Sequence, residues 1–314
     1  MKPLKLAVGL LGIIALLGGC TPADNAAGSA PKARASALLI AANDSPNFTL
    51  TADGPGPPGR GLNADVPPII EGDWYRPGVN SSWQWQLQGE INTGYQVDLY
   101  DIDLFDSDPA LIEGLQEADR KVICYFSAGS FEEFREDADE FLPAELGRTL
   151  AGYDDERWLD IRSSNVQRIM LARLELAARK GCDGVEPDNV DGYRNRSGFP
   201  LTARTQLAYN RFLANEAHAR GLAVALKNDL EQIPELLEYV DLSVDEQCHE
   251  FDECEALTPF VAAGKPVLNA EYDERFIGDP TALSALCAEA RSQGLSTLVL
   301  PVALDDAFRL SCDR

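Results

Sequence analysis

From Trp74 onward the chain alternates short apolar runs with amphipathic stretches, and this alternation constrains the fold more than any other feature. The apolar runs are Trp83–Gln88, Val97–Asp103, Lys121–Ser127, Gly184–Asp188, Leu222–Lys227, Leu242–Glu246, Pro266–Glu271 and Thr297–Val302. Each has the length and bounding turn residues of a strand. Between them, Val166, Ile169, Met170, Leu174 and Ala177 recur at helical spacing behind Ser163, Ser164 and Asn165, any of which can cap free N–H groups. Similar helices fit Ala203–Arg220, Glu231–Tyr239 and Pro280–Gln293, while Gly181, Gly221, Gly264 and Gly294 each stop a helix just before a strand. Eight strands with helices between most of them predict an α/β fold, a (β/α)₈ TIM barrel in one catalytic domain, with an open doubly wound sheet as the alternative. Only Gly89 to Gln96 separates the first two strands, too little for a crossover helix. Residues 128–156 are long, acidic and weakly periodic, and read as an elaborated loop over the strand ends.

The start of the chain is different. Lys2 and Lys5 precede an apolar run from Ala7 to Leu17, and Leu17-Gly18-Gly19-Cys20 resembles a bacterial lipobox. The run is shorter than the ~20 residues of a lasting span, so residues 1–19 read as a cleaved lipoprotein signal peptide. Cys20 would carry the lipid, and the protein would be exported and held at the outer membrane or cell surface, or released from it. The membrane would be touched only through that anchor. Residues 20–72 read as a flexible tether, with eight prolines and six glycines between Thr21 and Gly72. Residues 73–314 form the barrel domain.

Gly54-Pro55-Gly56-Pro57-Pro58-Gly59 matches GxGxxG formally, but prolines fill its variable positions and neither strand nor helix flanks it, so it holds no dinucleotide. Six cysteines remain besides Cys20, an even number that suits disulfides in an exported protein. Cys248 and Cys254 can close a small loop, and Cys287 and Cys312 can tie a late helix to the C-terminus. Cys124 and Cys182 are left as a third pair or as buried thiols.

Charge excludes some partners. With 27 Lys+Arg against 51 Asp+Glu the formal net charge is −24, which repels phosphate backbones and argues against nucleic acid. Two histidines, His218 and His249, cannot build a multi-His metal centre, and both read as structural. Asp183, Glu186, Asp188 and Asp191 form a dense acidic run without the spacing of a calcium loop. No nucleophile elbow or phosphate loop is present, and neither metal nor cofactor is expected.

In a parallel barrel, function gathers at the C-terminal strand tips. Those tips carry Asp101 and Asp103; Tyr125 and Ser127; Glu186, Asp188, Asn189 and Asp191; Lys227 and Asn228; Asp245, Glu246 and Gln247; and Asn269, Glu271 and Tyr272. Any one acid alone has the ordinary reading of a solvated loop residue or helix cap. Together, carboxylates, amides and aromatics are how sugar rings are held and cleaved, by two carboxyl groups flanking one bond. Trp83 and Trp85 share a strand face and suit either core packing or sugar stacking.

The ordered motifs Cys124–Ser130, Trp158–Arg162, Gly181–Tyr193, Leu226-Lys227-Asn228 and Asp245–Cys248 resemble the endo-α-1,4-polygalactosaminidase family, glycoside hydrolase family 114, over residues 74–302. The resemblance implies a TIM-barrel enzyme that cuts α-1,4-linked galactosamine or N-acetylgalactosamine polysaccharide internally. Asp188 then matches the nucleophile in the Pro-Asp-Asn motif and Glu246 the acid/base. The family's motif usually has Asp where this chain has Glu186. Tyr125, Asp160, Asn189, Asp191, Lys227, Asn228, Tyr272 and Trp85 become the residues expected to bind the sugar. Strands four and six have the same parity and can aim their tips across one pocket. For Glu246 to stay protonated near neutral pH, its surroundings must raise its pKa. A retaining mechanism follows, acting on a galactosamine-rich polymer as a monomer. The other readings are a non-catalytic carbohydrate-binding lipoprotein on this fold and a glycosidase for another amino-sugar polymer.

Overall fold

The structure, a computed structural model, describes residues 62–312. The signal segment, Cys20 and most of the stretch read as a tether lie outside the described residues. Among the described residues, no helix is long and apolar enough to cross a membrane.

The chain forms β1 (Trp83–Gln86), β2 (Leu99–Asp103), α1 (Pro109–Glu117) and β3 (Lys121–Ser127). Then come β4 (Ser130–Glu132), β5 (Leu146–Leu150), β6 (Tyr153–Leu159), α2 (Ser164–Lys180), β7 (Gly184–Asp188), α3 (Ala203–His218) and β8 (Ala223–Lys227). The rest is α4 (Ile233–Leu236), β9 (Leu242–Glu246), α5 (Thr258–Ala262), β10 (Val267–Glu271), α6 (Arg275–Gly278), α7 (Pro280–Gln293), β11 (Ser296–Val299) and β12 (Leu310–Ser311). The main sheet runs β1-β2-β3-β7-β8-β9-β10-β11-β12. Its first eight strands are parallel, and β12 runs back along β11. The two ends of the sheet meet through side chains: Trp83 Nε1 donates to Ser296 O (3.0 Å), Ser296 Oγ to Ser81 O (2.8 Å) and Arg309 Nη2 to Trp83 O (2.7 Å). This is the expected barrel of eight parallel strands.

The period-two alternation of the strands divides the core. Outward residues such as Tyr100, Ile102, Val122, Cys124, Phe126, Val185, Val224 and Leu226 pack against the helices. Inward residues Trp83, Trp85, Leu99, Ile123, Ala225, Leu242, Val244, Leu268, Ala270 and Leu298 fill the barrel as a separate apolar cluster. Continuing the inward rows toward the strand tips gives Asp101, Tyr125, Glu186, Asp188, Lys227, Glu246 and Tyr272. The barrel is therefore apolar below and ionic above.

Helix boundaries follow their caps. Ser163 caps α2 by accepting from Asn165 N, Thr202 caps α3 and Asp279 caps α7. Gly181 and Gly294 end α2 and α7 in the left-handed conformation (φ 85° and 76°). The helix expected over Glu231–Tyr239 is reduced to Ile233–Leu236, preceded by a 3₁₀ turn at Leu230–Gln232, because Asp229 is left-handed (φ 47°) and Pro234 can sit only in a first turn.

Two connections depart from a regular barrel. The β1–β2 link has no helix; Gln86 holds its loop by donating to Gln88 O and Glu90 O and accepting from Asn92 N, while Ile91 and Tyr95 cover the outer core. Residues 128–156, read as a loop, instead build an antiparallel sheet ordered β4-β6-β5. Buried arginines fix it: Arg135 bonds Asp103 twice (3.0 and 2.6 Å) and Glu132 (2.8 Å), and Arg173 of α2 bonds Asp137 twice (2.8 Å each). The disulfides Cys124–Cys182, Cys248–Cys254 and Cys287–Cys312 are all formed.

Residues 62–72 lie along α3. Asn215 accepts from Ile69 N (2.8 Å) and donates to Pro67 O (2.9 Å), and the Tyr239 hydroxyl donates to Val66 O. His218 has a structural role, bridging Ile69 O (2.8 Å) and Asp241 Oδ2 (2.9 Å) under the stacked ring of Trp74.

Candidate active site

Three adjacent strands end on the charged residues of the site: β7 on Asp188, β8 on Lys227 and β9 on Glu246. The next residue in each case, Asn189, Asn228 and Gln247, takes positive φ (59°, 49° and 59°). That conformation turns the chain abruptly at each tip and is strained for all but glycine, asparagine and aspartate.

Lys227 Nζ lies 3.1 Å from Asp188 Oδ1 and 3.0 Å from Glu246 Oε2, so these two carboxylate oxygens are no more than 6.1 Å apart. The lysine is 4% exposed, against 16% for the Asp188 side chain and 30% for that of Glu246. Burial alone would discharge the ammonium, but Asp188, Glu246 and Glu186 outweigh it and hold its pKa well above the usual value.

All four oxygens of the pair have further partners. Asp188 Oδ2 accepts from the Tyr125 hydroxyl (3.0 Å), and Oδ1 accepts from Asn189 N (2.7 Å). Glu246 Oε1 accepts from the Tyr272 hydroxyl (2.6 Å) and Oε2 from Asn228 Nδ2 (3.3 Å). Burial raises the phenols of Tyr125 and Tyr272, and the facing carboxylates push them further. The backbone beneath Asp188 is equally tight: Ala128 N and Gly129 N both donate to Asp188 O (2.8 and 3.0 Å). A Cβ at Gly129 would sit 1.8 Å from Asn189 O, so no other residue fits.

One expectation is reversed. Burial does push the Glu246 carboxyl upward, but Lys227 and the hydrogen bonds from Tyr272, Lys227 and Asn228 prevail and hold its pKa below the usual range.

The other expected sugar-binding residues divide. Tyr125, Lys227, Asn228 and Tyr272 touch the pair directly. Asn189 does so through its backbone and through its amide, which donates to Asp188 Oδ2 (3.3 Å) and ties Ser127 Oγ (3.0 Å) to the β7 tip. Asp191 precedes the 3₁₀ turn Gly192–Arg194 and accepts from Asn195 Nδ2 (3.0 Å). Asp160 is taken up by the Arg162 guanidinium (2.7 and 2.8 Å). Trp85 is 2% exposed, stacked on Trp83 and covered by the Lys227 ammonium 5.1 Å from its ring, so its place is in the core.

Two residues of β6 join the site without having been singled out in the sequence. Tyr153 is 51% exposed, yet its hydroxyl is raised by burial and by the charges of Glu246 and Asp188. Glu156 accepts from Ser130 Oγ (2.6 Å), and burial raises its pKa to about 7. Among the described residues, Cys248, His249 and Cys254 lie close enough to hold a metal ion, but the two sulfurs are joined to each other.

Two carboxyl groups this close, both partly exposed at nearby strand tips, can act on a single glycosidic bond. Residues 66–314 match the model of Glycoside-hydrolase family GH114. The chain belongs to this family. It is a glycosidase on a TIM-barrel fold. The crystal structure of Aspergillus fumigatus Ega3 in complex with galactosamine is similar at 41% identity and TM-score 0.73, covering 77% of this chain and 99% of that one. The glycoside hydrolase domain of PelA from Pseudomonas aeruginosa shares the fold at 20% identity and TM-score 0.58, covering 73% and 97% respectively. Comparison with curated protein sequences returns no match.

Proposed function

We propose that this GH114 glycosidase cleaves α-1,4-linked galactosamine polymers internally and with retention of configuration. The observation that carries the reading is the Lys227 bridge, which limits the facing oxygens of Asp188 and Glu246 to 6.1 Å. That bound lies between the ~5–5.5 Å carboxyl spacing of retaining enzymes and the ~6.5–9.5 Å of inverting ones, which must admit a water; it supports retention, and the product anomer tests it. Asp188 attacks the anomeric carbon as the glycosidic C–O bond breaks, and the leaving oxygen takes a proton from Glu246. Glu246 then removes a proton from water as that water displaces Asp188.

Galactosamine in the Ega3 complex supports the choice of sugar, and the net charge of −24 suits a polymer carrying ammonium groups. Tyr153, exposed and near enough to Glu246 and Asp188 for their charges to act on its hydroxyl, is assigned the sugar-stacking role that the buried Trp85 leaves open. Export on a lipidated Cys20 is part of the same proposal. Three disulfides fit an oxidising compartment, and mass analysis of the mature N-terminus tests the anchor.

The test sets wild type beside Asp188→Asn and Glu246→Gln on galactosamine and N-acetylgalactosamine oligomers, read by mass spectrometry, with the product anomer followed by NMR. Both variants are expected to be inactive and the first-formed anomer to be the retained one. An inverted anomer removes Asp188 from its role. Undiminished biological activity in both variants makes the protein a carbohydrate binder.

A further inference from the structure

Below the catalytic pair, the barrel holds two carboxyl groups that the reaction above does not use. Glu186 lies two residues before Asp188 on β7 and points inward with it, and Asp101 points inward from β2. Both are completely buried. None of their four oxygens receives a hydrogen bond from an N–H or O–H group. The nearby cation is Lys227, 3.7 Å from Glu186 Oε1, and it is already shared by Asp188 and Glu246.

One ammonium cannot neutralise four carboxylates, and a buried carboxylate without donors is costly enough to take up a proton instead. The carboxyls of Asp101 and Glu186 face each other at hydrogen-bonding range. A single proton between them supplies the missing donor, leaving one negative charge on the pair. The other titratable groups facing this pair are Tyr125 from β3, Asp188 from β7, Lys227 from β8, and Glu246 and Tyr272 beside the lysine.

We propose that Asp101 and Glu186 share one proton and act as positioning residues, the location of their remaining charge setting how strongly Lys227 acts on Glu246. With the charge on Glu186, the ammonium is drawn away from Glu246, which then keeps its proton more readily. With the charge on Asp101, further from the ammonium, Lys227 acts more fully on Glu246. Burial raises Asp101 to about 8 and Glu186 well above the carboxylate range, consistent with a proton retained at neutral pH. The inference rests on Glu246 being the acid.

The test is the pH dependence of kcat/KM in Glu186→Gln and Asp101→Asn. Glu186→Gln leaves the charge on the distant partner and Asp101→Asn leaves it on the near one, so the alkaline limb of Asp101→Asn should lie at higher pH than that of Glu186→Gln. A separation of about half a unit or more is expected for a charge moved by a few ångströms. Limbs that coincide, or lie in the reverse order, overturn the proposal. Infrared difference spectra at pH 7 provide a second readout: either variant alone should lose one protonated carboxyl band relative to the wild type, and an unchanged band is equally fatal. Should Glu246→Gln retain activity, the reading of the acid fails on its own, whatever the infrared band shows.

Discussion

Lys227 Nζ touches Asp188 and Glu246 at almost equal distance, 3.1 and 3.0 Å, so one buried cation ties together the two carboxylates proposed to react. Replacing it with Met removes the main influence that lowers Glu246 and leaves two like charges facing each other. The Glu246 pKa should rise by about one unit or more, moving the alkaline limb of kcat/KM upward. The rate should nonetheless fall about 100-fold or more, because the cation also organises the charge of the transition state. In the wild type the pKa of Glu246 is lowered, and the proposed acid role requires its protonated form, so kcat/KM should increase toward acid pH. A pH–rate profile of both proteins checks these outcomes.

Stability should also fall as pH rises. Burial is the largest cause of the raised pKa values of Asp101 and Asp229, both to about 8, and of Asp245 and Glu156, both to about 7. A group raised in the folded state contributes stability that is complete below its unfolded value, about 4, and is lost as pH passes its folded value. Tm should therefore decline from about pH 5 to about pH 9, by several degrees. Calorimetry without reductant, which leaves the disulfides intact, measures this. A flat or rising curve contradicts the assignment of these acids as protonated.

Gly129→Ala should abolish activity out of proportion to its size. The added methyl meets Asn189 O at 1.8 Å, so the β7 tip must shift, and Asp188 with it. The cost should be about 1–3 kcal/mol, as for overpacking elsewhere, with a larger loss in kcat than the fall in Tm explains. Thermal melts and kinetics on one preparation decide it.

Tyr153→Ala should behave in the opposite way. The side chain is 51% exposed, so Tm should hold within about a degree while kcat/KM falls about three- to tenfold, the value of one aromatic stacking contact. Tyr153→Phe should keep most of the activity. Equal losses in both variants point to the hydroxyl rather than the ring.

Much of this fold is legible in the sequence because local signals agree with it. β3, β7 and β9 have the bounds that their apolar runs predict, and Ser163, Gly181 and Gly294 mark helix ends by their own conformational preferences. The sheet that begins within 128–156 is not legible: β4 has only three residues, β5 is half-buried to exposed throughout and most of β6 is exposed, so no alternation marks them. Tyr153 is hidden for the same reason. The strand tips bring Asp188, Lys227 and Glu246 into view, but the direction of the Glu246 shift depends on how far the Lys227 side chain reaches across the barrel. Asp160 and Trp85 show the converse limit: their partners Arg162 and Trp83 stand two residues away, but spacing does not reveal that the guanidinium closes on Asp160 or that Trp85 is buried in the barrel.

The apolar plug of Trp83, Trp85, Leu99, Ile123, Leu242, Leu268 and Leu298 seals the lower end of the barrel. Solvent and substrate must then use the same mouth. On the double-displacement route proposed above, the departing sugar has to clear that mouth before water can reach the glycosyl ester. Any hydroxyl that arrives first competes with water, so high concentrations of short oligomers should divert this enzyme from breaking chains to lengthening them.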